Sequence, residues 1–330
     1  MRLRLVQVLH RHGDRSPLHN VFERIPWLAE QENAIWSTRL HEITKDSVYG
    51  QLTKVGMNQM QARGLELRSE CLKQGWTLQQ DNVHVNVYST PYERTQQSVL
   101  GLLSHFLPHA ARKDEIQVLP KHLNFINAYS AAGNVIVPMK MKMIEQHPEY
   151  SLDDKRMEPI RKELIHRLPM FHHNKEEFTW MKAADHFVCR QAHRLEYIPN
   201  TQELAKPTID HLSLRFLQFY SDPIILKLVV KDLASKLLDE MELCIKAKPN
   251  EKEYIQIYSG HDVSLLALLY AMESQLDHPF WPDYSSAVVL ELIQDNLEWY
   301  VRATLDSKSV LEEPMMPYKA FVQLLQQKMN

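Results

Sequence analysis

LRLVQVLHRHGDRSP, Leu3 to Pro17, is the stretch whose reading decides the fold. From Arg2 to Leu9 polar and apolar side chains alternate and then give way to a more apolar run, the pattern of a strand covered on one or both faces. Directly after it Arg11, His12 and Arg15 crowd together with a single glycine, Gly13, among them. Positive charge gathered at the end of a buried strand needs a local cause. The chain as a whole supplies none: its 330 residues carry a formal net charge of −3 and no block of like charge.

Apolar residues make up 44% and charged residues 24% of the chain, a soluble globular composition long enough for one large domain or two ordinary ones. The charge balance excludes a nucleic-acid or polyanion binder. The longest apolar run, Val263 to Met272, is about half of the ~20 residues a membrane span needs. No charged, apolar and small-residue leader precedes the first strand, so the chain is read as natively leaderless or trimmed. Three cysteines at wide spacing (Cys71, Cys189 and Cys244) form no zinc pattern and are expected to be buried thiols. With no Asn-X-Ser/Thr sequon, they favour an intracellular location, cytoplasmic or organellar, or a secreted or lysosomal one if a leader was removed. Nothing in the sequence sets the oligomeric state.

Outward from the first strand, Thr53 is an N-cap for a helix running to about Leu72 and stopping before Gly75. Val83 to Thr90 is β-rich, Pro91 marks a first helical position, and the helix after it runs to Pro108. From about 109 to 220 charges are dense and prolines frequent, and the segments read as a mainly helical insertion. Within it PMKMKM, Pro138 to Met143, reads as a half-buried strand or loop with exposed Lys140 and Lys142; lysines at a cleft mouth and methionines holding a soft metal are the alternatives. Pro223 to Lys248 is a long helix, Tyr254 to Ser259 a strand, and Val263 to Ser274 a buried helix. A hairpin turns at Asp295-Asn296, and a last helix covers about Tyr318 to Lys328. Strand–helix alternation at both ends predicts an α/β sheet, with catalytic-domain halves 1–108 and 221–330 around the 109–220 cap.

In open α/β sheets ligands bind at the carboxyl ends of strands. His12 follows the first strand, and His261 and Asp262 follow YIQIYS. Arg94 lies in the first turn of the helix after VHVNVYST, on the same edge if these strands are parallel. Three guanidiniums aimed at one point repel unless a multiply charged anion fills the space. Phosphate fits, because its oxygens accept forked arginine hydrogen bonds. Among such cations a neutral imidazole is the plausible nucleophile and Asp262 the obvious proton donor. The charge after the first strand is thus an anion cradle. Its competing reading is a solvated basic turn, with Arg94 a surface residue and His261 a structural one. Of the 17 histidines only His172-His173 are adjacent. With Glu176 and Glu177 one turn on, they read as a solvated helix end rather than a metal site.

Arg11-His12-Gly13-Asp14-Arg15-Ser16-Pro17 resembles the RHGxRxP signature of the histidine acid phosphatases, the second branch of the histidine phosphatase superfamily. Gly260-His261-Asp262 resembles that family's distal HD motif. YSTPYERTQQSVLGLL, GQLTKVGMNQM and WPDYSSAVVLEL are similar to further family segments, and the spacing of Asp185, Cys189 and His193 is similar to its cap. The resemblance implies a phosphoglycerate-mutase-like mixed, mostly parallel sheet flanked by helices, with a mainly helical cap. It also implies a metal-independent phosphomonoesterase without cofactor. His12 attacks phosphorus, Asp262 protonates the leaving alkoxide and later assists water, and Arg11, Arg15, Arg94 and His261 hold the phosphoryl oxygens. Asp14 is read as shaping the turn rather than orienting an arginine. The short RHGDRSP form favours an acid phosphatase or lysophospholipid phosphatase over an inositol-phosphate (phytase-like) enzyme. A non-catalytic phosphate-binding relative would lack His12 or Asp262, and a mutase would take its acid from elsewhere.

Overall fold

The computed structural model describes residues 1–44, 46–173, 177–247, 252–277 and 279–329. The opening stretch is strand β1, Arg2–Arg11, buried at every residue but the first. A register shift between Leu3 and Leu5 resets its side-chain parity. Leu3, Val6 and Val8 enter one core cluster and Leu5 and Leu9 another, which explains why the polar–apolar alternation fades. Burying each such side chain contributes about 1.5–3 kcal/mol.

Strand β2 is Val83–Ser89, β3 is Ile116–Val118 and β4 is Glu253–Gly260. β1, β4, β2 and β3 pair in that order, all parallel. On its other edge β1 pairs antiparallel with β5, Ala287–Asp295, which continues into its hairpin partner β6, Glu298–Leu305. The short strands β7, Lys308–Ser309, and β8, Met316–Pro317, both add to β6. The sheet is therefore the mixed α/β type expected, with its parallel half carrying the strand ends of interest. The hairpin turns where expected: Asn296 takes a left-handed φ of 56°, which asparagine tolerates.

Helix α1, Pro26–Ser37, precedes α2, Lys54–Lys73, whose N-cap Thr53 accepts from the Gly56 N–H. Helix α3 is Glu93–Phe106. It begins two residues after Pro91, with Tyr92 at its N-cap, so Pro91 does not occupy the first helical position expected of it. Helices α4 (Ala128–Gln146), α5 (Pro148–Arg167), α6 (Trp180–Ala192) and α7 (Gln202–Ser221) fill most of the 109–220 stretch, in which β3 nonetheless joins the sheet. PMKMKM lies inside α4, not in a strand or loop. Its alternation is misleading because the apolar Met141 is exposed while Lys140 is only half exposed. Helix α8, Pro223–Lys246, starts on the Asp222 cap; α9 is Asp262–Ala271 and α10 is Tyr318–Met329.

Helices α2 and α3 cover one face of the sheet through Met60, Leu67, Val99, Leu102 and Phe106 against Val87, Ile255 and Ile257. Helices α8, α9 and α10 cover the other through Val230, Leu237, Leu265, Leu268 and Phe321. Residues of α5, α6 and α7, among them Leu164, Phe187 and Leu204, build a separate core. Among the described residues no helix is long and apolar enough to cross a membrane.

Candidate active site

Parallel pairing sets Arg11 opposite Gly260 and Ser89 opposite Ser259, so β1, β2 and β4 end level with one another. The chain then leaves β1 in a loop that only glycine permits. A Cβ on Gly13 would lie 2.3 Å from the Gly56 carbonyl oxygen, and one on Gly56 would lie 2.2 Å from the Asp14 carbonyl oxygen. This contact seats the loop on the N-terminus of α2, and the Gly13 N–H donates to Ser98 Oγ of α3 at 3.0 Å.

His12 is buried at the centre. Its backbone N–H donates to the Gly260 carbonyl at 3.1 Å, and its Nδ1 lies 2.8 Å from the Gly13 carbonyl. A carbonyl can only accept, so Nδ1 carries the proton and the Nε2 lone pair is free. Burial first, then the charges of Arg94, His261, Arg11 and Arg15, hold the ring well below the usual histidine pKa. The shift favours the neutral imidazole, the form that a nucleophile needs. The His261 ring sits 5.4 Å away, edge to face. His261 Nε2 contacts Thr90 Oγ1 at 3.1 Å, and burial followed by the charges of Arg94, Arg15 and Arg11 keeps this ring neutral too.

Arg11 Nη1 donates to the Pro282 carbonyl at 2.6 Å, and its Nη2 lies 3.2 Å from Asp262 Oδ2. Asp262 opens α9, where its Oδ1 accepts from the Val263 N–H. Arg15 Nη2 donates to Asp185 Oδ1 of α6 at 2.6 Å, both side chains buried. Arg94, in the first turn of α3, reaches the Gly50 carbonyl at 3.3 Å and lies over the Tyr92 ring at 4.6 Å. Burial and the Arg15 charge push it down to about 10, a guanidinium short of counter-charge. The Nε atoms of Arg11, Arg15 and Arg94 are each buried without a hydrogen-bond partner. All six residues singled out from the sequence therefore meet, and several of their donors have no protein acceptor. A tetrahedral oxyanion satisfies such a set.

Several neighbours were not singled out. Tyr284 lies under the Arg11 guanidinium at 4.2 Å and 5.9 Å from the His12 ring, and its hydroxyl contacts Cys189 Sγ. Tyr92 packs edge to face on His261 at 5.1 Å. Thr90, which positions His261, and Tyr92 and Tyr284 all fall inside segments used for the family resemblance, which is the signal that could have found them. Asp14 has a role beyond the turn. Its Oδ1 accepts from Thr53 Oγ1 and His193 Nε2, each at 2.5 Å, so it ties the loop to α2 and to the residue that caps α6. With Arg15–Asp185 this makes two buried links between loop and cap.

Cys71, Cys189 and Cys244 are free and buried. Among the described residues no group of His, Cys, Asp or Glu could hold a metal ion; Glu176, named beside His172 and His173, lies outside them.

The sheet is of the α/β type and the candidate site is a cradle for an oxyanion. The chain belongs to the histidine phosphatase superfamily, branch 2, whose description it matches over residues 2–306. It is 25% identical over 351 residues to the human lysophosphatidic acid phosphatase type 6, covering 92% of this chain and 77% of that one. To the bovine prostatic acid phosphatase it is 22% identical over 351 residues, covering 98% and 84%. Its fold is similar to that of a Bifidobacterium longum multiple inositol polyphosphate phosphatase solved with phosphate, at 9% identity and a TM-score of 0.68, covering 100% of this chain and 93% of that one. It is also similar to a Hafnia alvei phytase, at 14% identity and a TM-score of 0.67, covering 100% and 97%. The protein is a phosphoric monoester hydrolase of the acid phosphatase type.

Proposed function

We propose that the protein hydrolyses phosphate monoesters in two steps through a phosphohistidine on His12, without metal or cofactor. The single observation that carries this reading is the His12 ring, its Nδ1 proton fixed on the Gly13 carbonyl and its Nε2 free among Arg11, Arg15, Arg94 and His261. Nε2 attacks phosphorus and forms the N–P bond as the ester P–O bond breaks. Asp262 gives its proton to the departing alkoxide. Water, with Asp262 now taking a proton, cleaves N–P and releases inorganic phosphate. The arginines and His261 neutralise the non-bridging oxygens throughout, the work a metal ion performs in other phosphatases. Burial and the guanidiniums keep His12 unprotonated as the pH falls, so the nucleophile is retained at an acidic working pH.

The preferred substrate class is that of a general acid phosphatase or lysophospholipid phosphatase, supported by the likeness to lysophosphatidic acid phosphatase and prostatic acid phosphatase. The phytase-like alternative rests on fold likeness at 9% and 14% identity. A non-catalytic phosphate binder is disfavoured because both His12 and Asp262 are present. The test is phosphate release in excess EDTA over p-nitrophenyl phosphate, sugar phosphates, lysophosphatidate and inositol hexakisphosphate. Release should persist without metal and be competitively inhibited by vanadate. Activity lost to chelator and restored by zinc or magnesium would overturn the metal-free mechanism.

A further inference from the structure

Lys140 of α4 sits in a ring of aromatic side chains. Its Nζ lies 4.3 Å from the Tyr129 centroid, 4.3 Å from Phe219, 5.4 Å from Phe216 and 5.6 Å from Tyr220. Ring faces attract an ammonium but do not neutralise it or accept its hydrogen bonds as a carboxylate does. Among the described residues no Asp or Glu pairs with this amine, and burial pushes it down to about 7 with no offsetting charge. Lys140 is half-buried among the rings.

One electrostatic link and one chain of contact lead from this ring to the candidate active site. The Tyr129 hydroxyl meets the Tyr220 hydroxyl at 3.2 Å, and both hydroxyls lie within reach of the Asp262 charge. On the other side Phe216 packs edge to face on Trp281 at 5.7 Å. The next residue, Pro282, holds Arg11 through its carbonyl. Trp281 Nε1 is itself buried without a hydrogen-bond partner. Arg11 in turn pairs with Asp262 at 3.2 Å, so the aromatic ring borders the site beside the carboxylate that serves the leaving oxygen in the proposed mechanism.

We propose that Lys140, with Tyr129, Phe216, Phe219 and Tyr220 as walls, is a specificity-determining subsite that binds a second anionic group, carboxylate or phosphate, on the leaving-group portion of the substrate. This rests on the phosphomonoesterase reading and narrows its substrate class. A second anion supplies the counter-charge that the rings cannot, and the flat walls hold the carbon skeleton between the two anions. Esters with an uncharged leaving group gain nothing from it.

The experiment compares matched pairs: 3-phosphoglycerate against glycerol 3-phosphate for the carboxylate arm, and fructose 1,6-bisphosphate against fructose 6-phosphate for the phosphate arm. Wild type should favour the doubly anionic member of at least one pair in kcat/KM, and the arm that shows it identifies the anion. Lys140→Met, which keeps length and apolar packing, should raise KM for that member about tenfold, the loss of roughly one charge-assisted hydrogen bond, and leave p-nitrophenyl phosphate turnover unchanged. Lys140→Arg should retain the preference, and Lys140→Gln serves if the Met variant does not fold. Calorimetric binding of the same four ligands to His12→Ala, with and without Lys140→Met, reads the subsite without turnover. Selective binding with no hydrolysis of any ester by wild type would sink the reaction and leave the subsite standing. Selectivity that is absent, or unchanged by Lys140→Met in both turnover and binding, would overturn the subsite and leave the reaction intact.

Discussion

Arg15, in the loop after the first strand, donates to Asp185 of α6 at 2.6 Å with both side chains buried. The second carboxylate oxygen of Asp185 accepts from the Leu18 N–H at 2.7 Å, so one cap residue holds both the guanidinium and the backbone beyond it. Asp185 fixes the Arg15 guanidinium through Nη2 and leaves its Nε without a protein partner. The cradle is therefore shared between the sheet and the cap.

Removing the carboxylate tests this sharing. Asp185→Ala strands a buried guanidinium, and breaking such a pair typically costs roughly 3–5 kcal/mol. Urea unfolding should show a loss of that size, and vanadate should inhibit more weakly because Arg15 is no longer aimed. A loss below about 1 kcal/mol with unchanged vanadate affinity would show that Arg15 is positioned by other contacts.

Stability should fall with pH from a specific set of histidines. Burial lowers His186 to about 3 and His10 to about 4, and holds His12 and His261 well below their ordinary value. In the unfolded chain each protonates near about 6.5. Between that pH and the folded pKa the unfolded state binds more protons, so each group removes about 1.4 kcal/mol per pH unit as pH falls. The His186 ring packs on Phe187 and is none of the residues of the candidate site. In urea titrations from about pH 6 down to about pH 4, His186→Leu should lose stability less steeply than wild type. Parallel slopes would mean that His186 is protonated in the folded protein.

Most of the site was legible because its residues follow strand ends in short, chemically distinctive motifs. What stayed hidden depends on tertiary contact. Asp185 sits 170 residues from Arg15, and its spacing to Cys189 and His193 showed a likeness but no partner. Tyr284 and Tyr92 are ordinary aromatic residues until the fold lays them against Arg11, Arg94 and the histidines. The strand-or-loop reading of PMKMKM failed on the same ground. Its two-residue period is an accident of a helix whose Lys140 finds aromatic cover and whose Met141 faces solvent. Pro91 is a loop residue because Tyr92, used by both His261 and Arg94, takes the cap position after it.

Asp262 should matter in proportion to the basicity of the leaving group. General acid catalysis is worth roughly 10²–10⁴-fold, and an alkoxide needs its proton far more than p-nitrophenolate does. Asp262→Asn should therefore reduce kcat/KM for alkyl phosphates much more than for p-nitrophenyl phosphate. His261→Asn should weaken both alike, because in the proposed mechanism His261 serves the phosphoryl oxygens they share. Equal losses for Asp262→Asn on the two substrates would remove it as the proton donor.

The central claim is that His12 Nε2 forms a bond to phosphorus, and rapid acid- and base-quench of the enzyme with ³²P-labelled substrate tests it most directly. Wild type should carry label that is stable to base, labile to acid and located on His12 by peptide mapping. His12→Ala should carry none, keep its fold and lose turnover by several orders of magnitude. Wild-type turnover with no labelled histidine at any quench time, or His12→Ala with wild-type activity, would contradict the account.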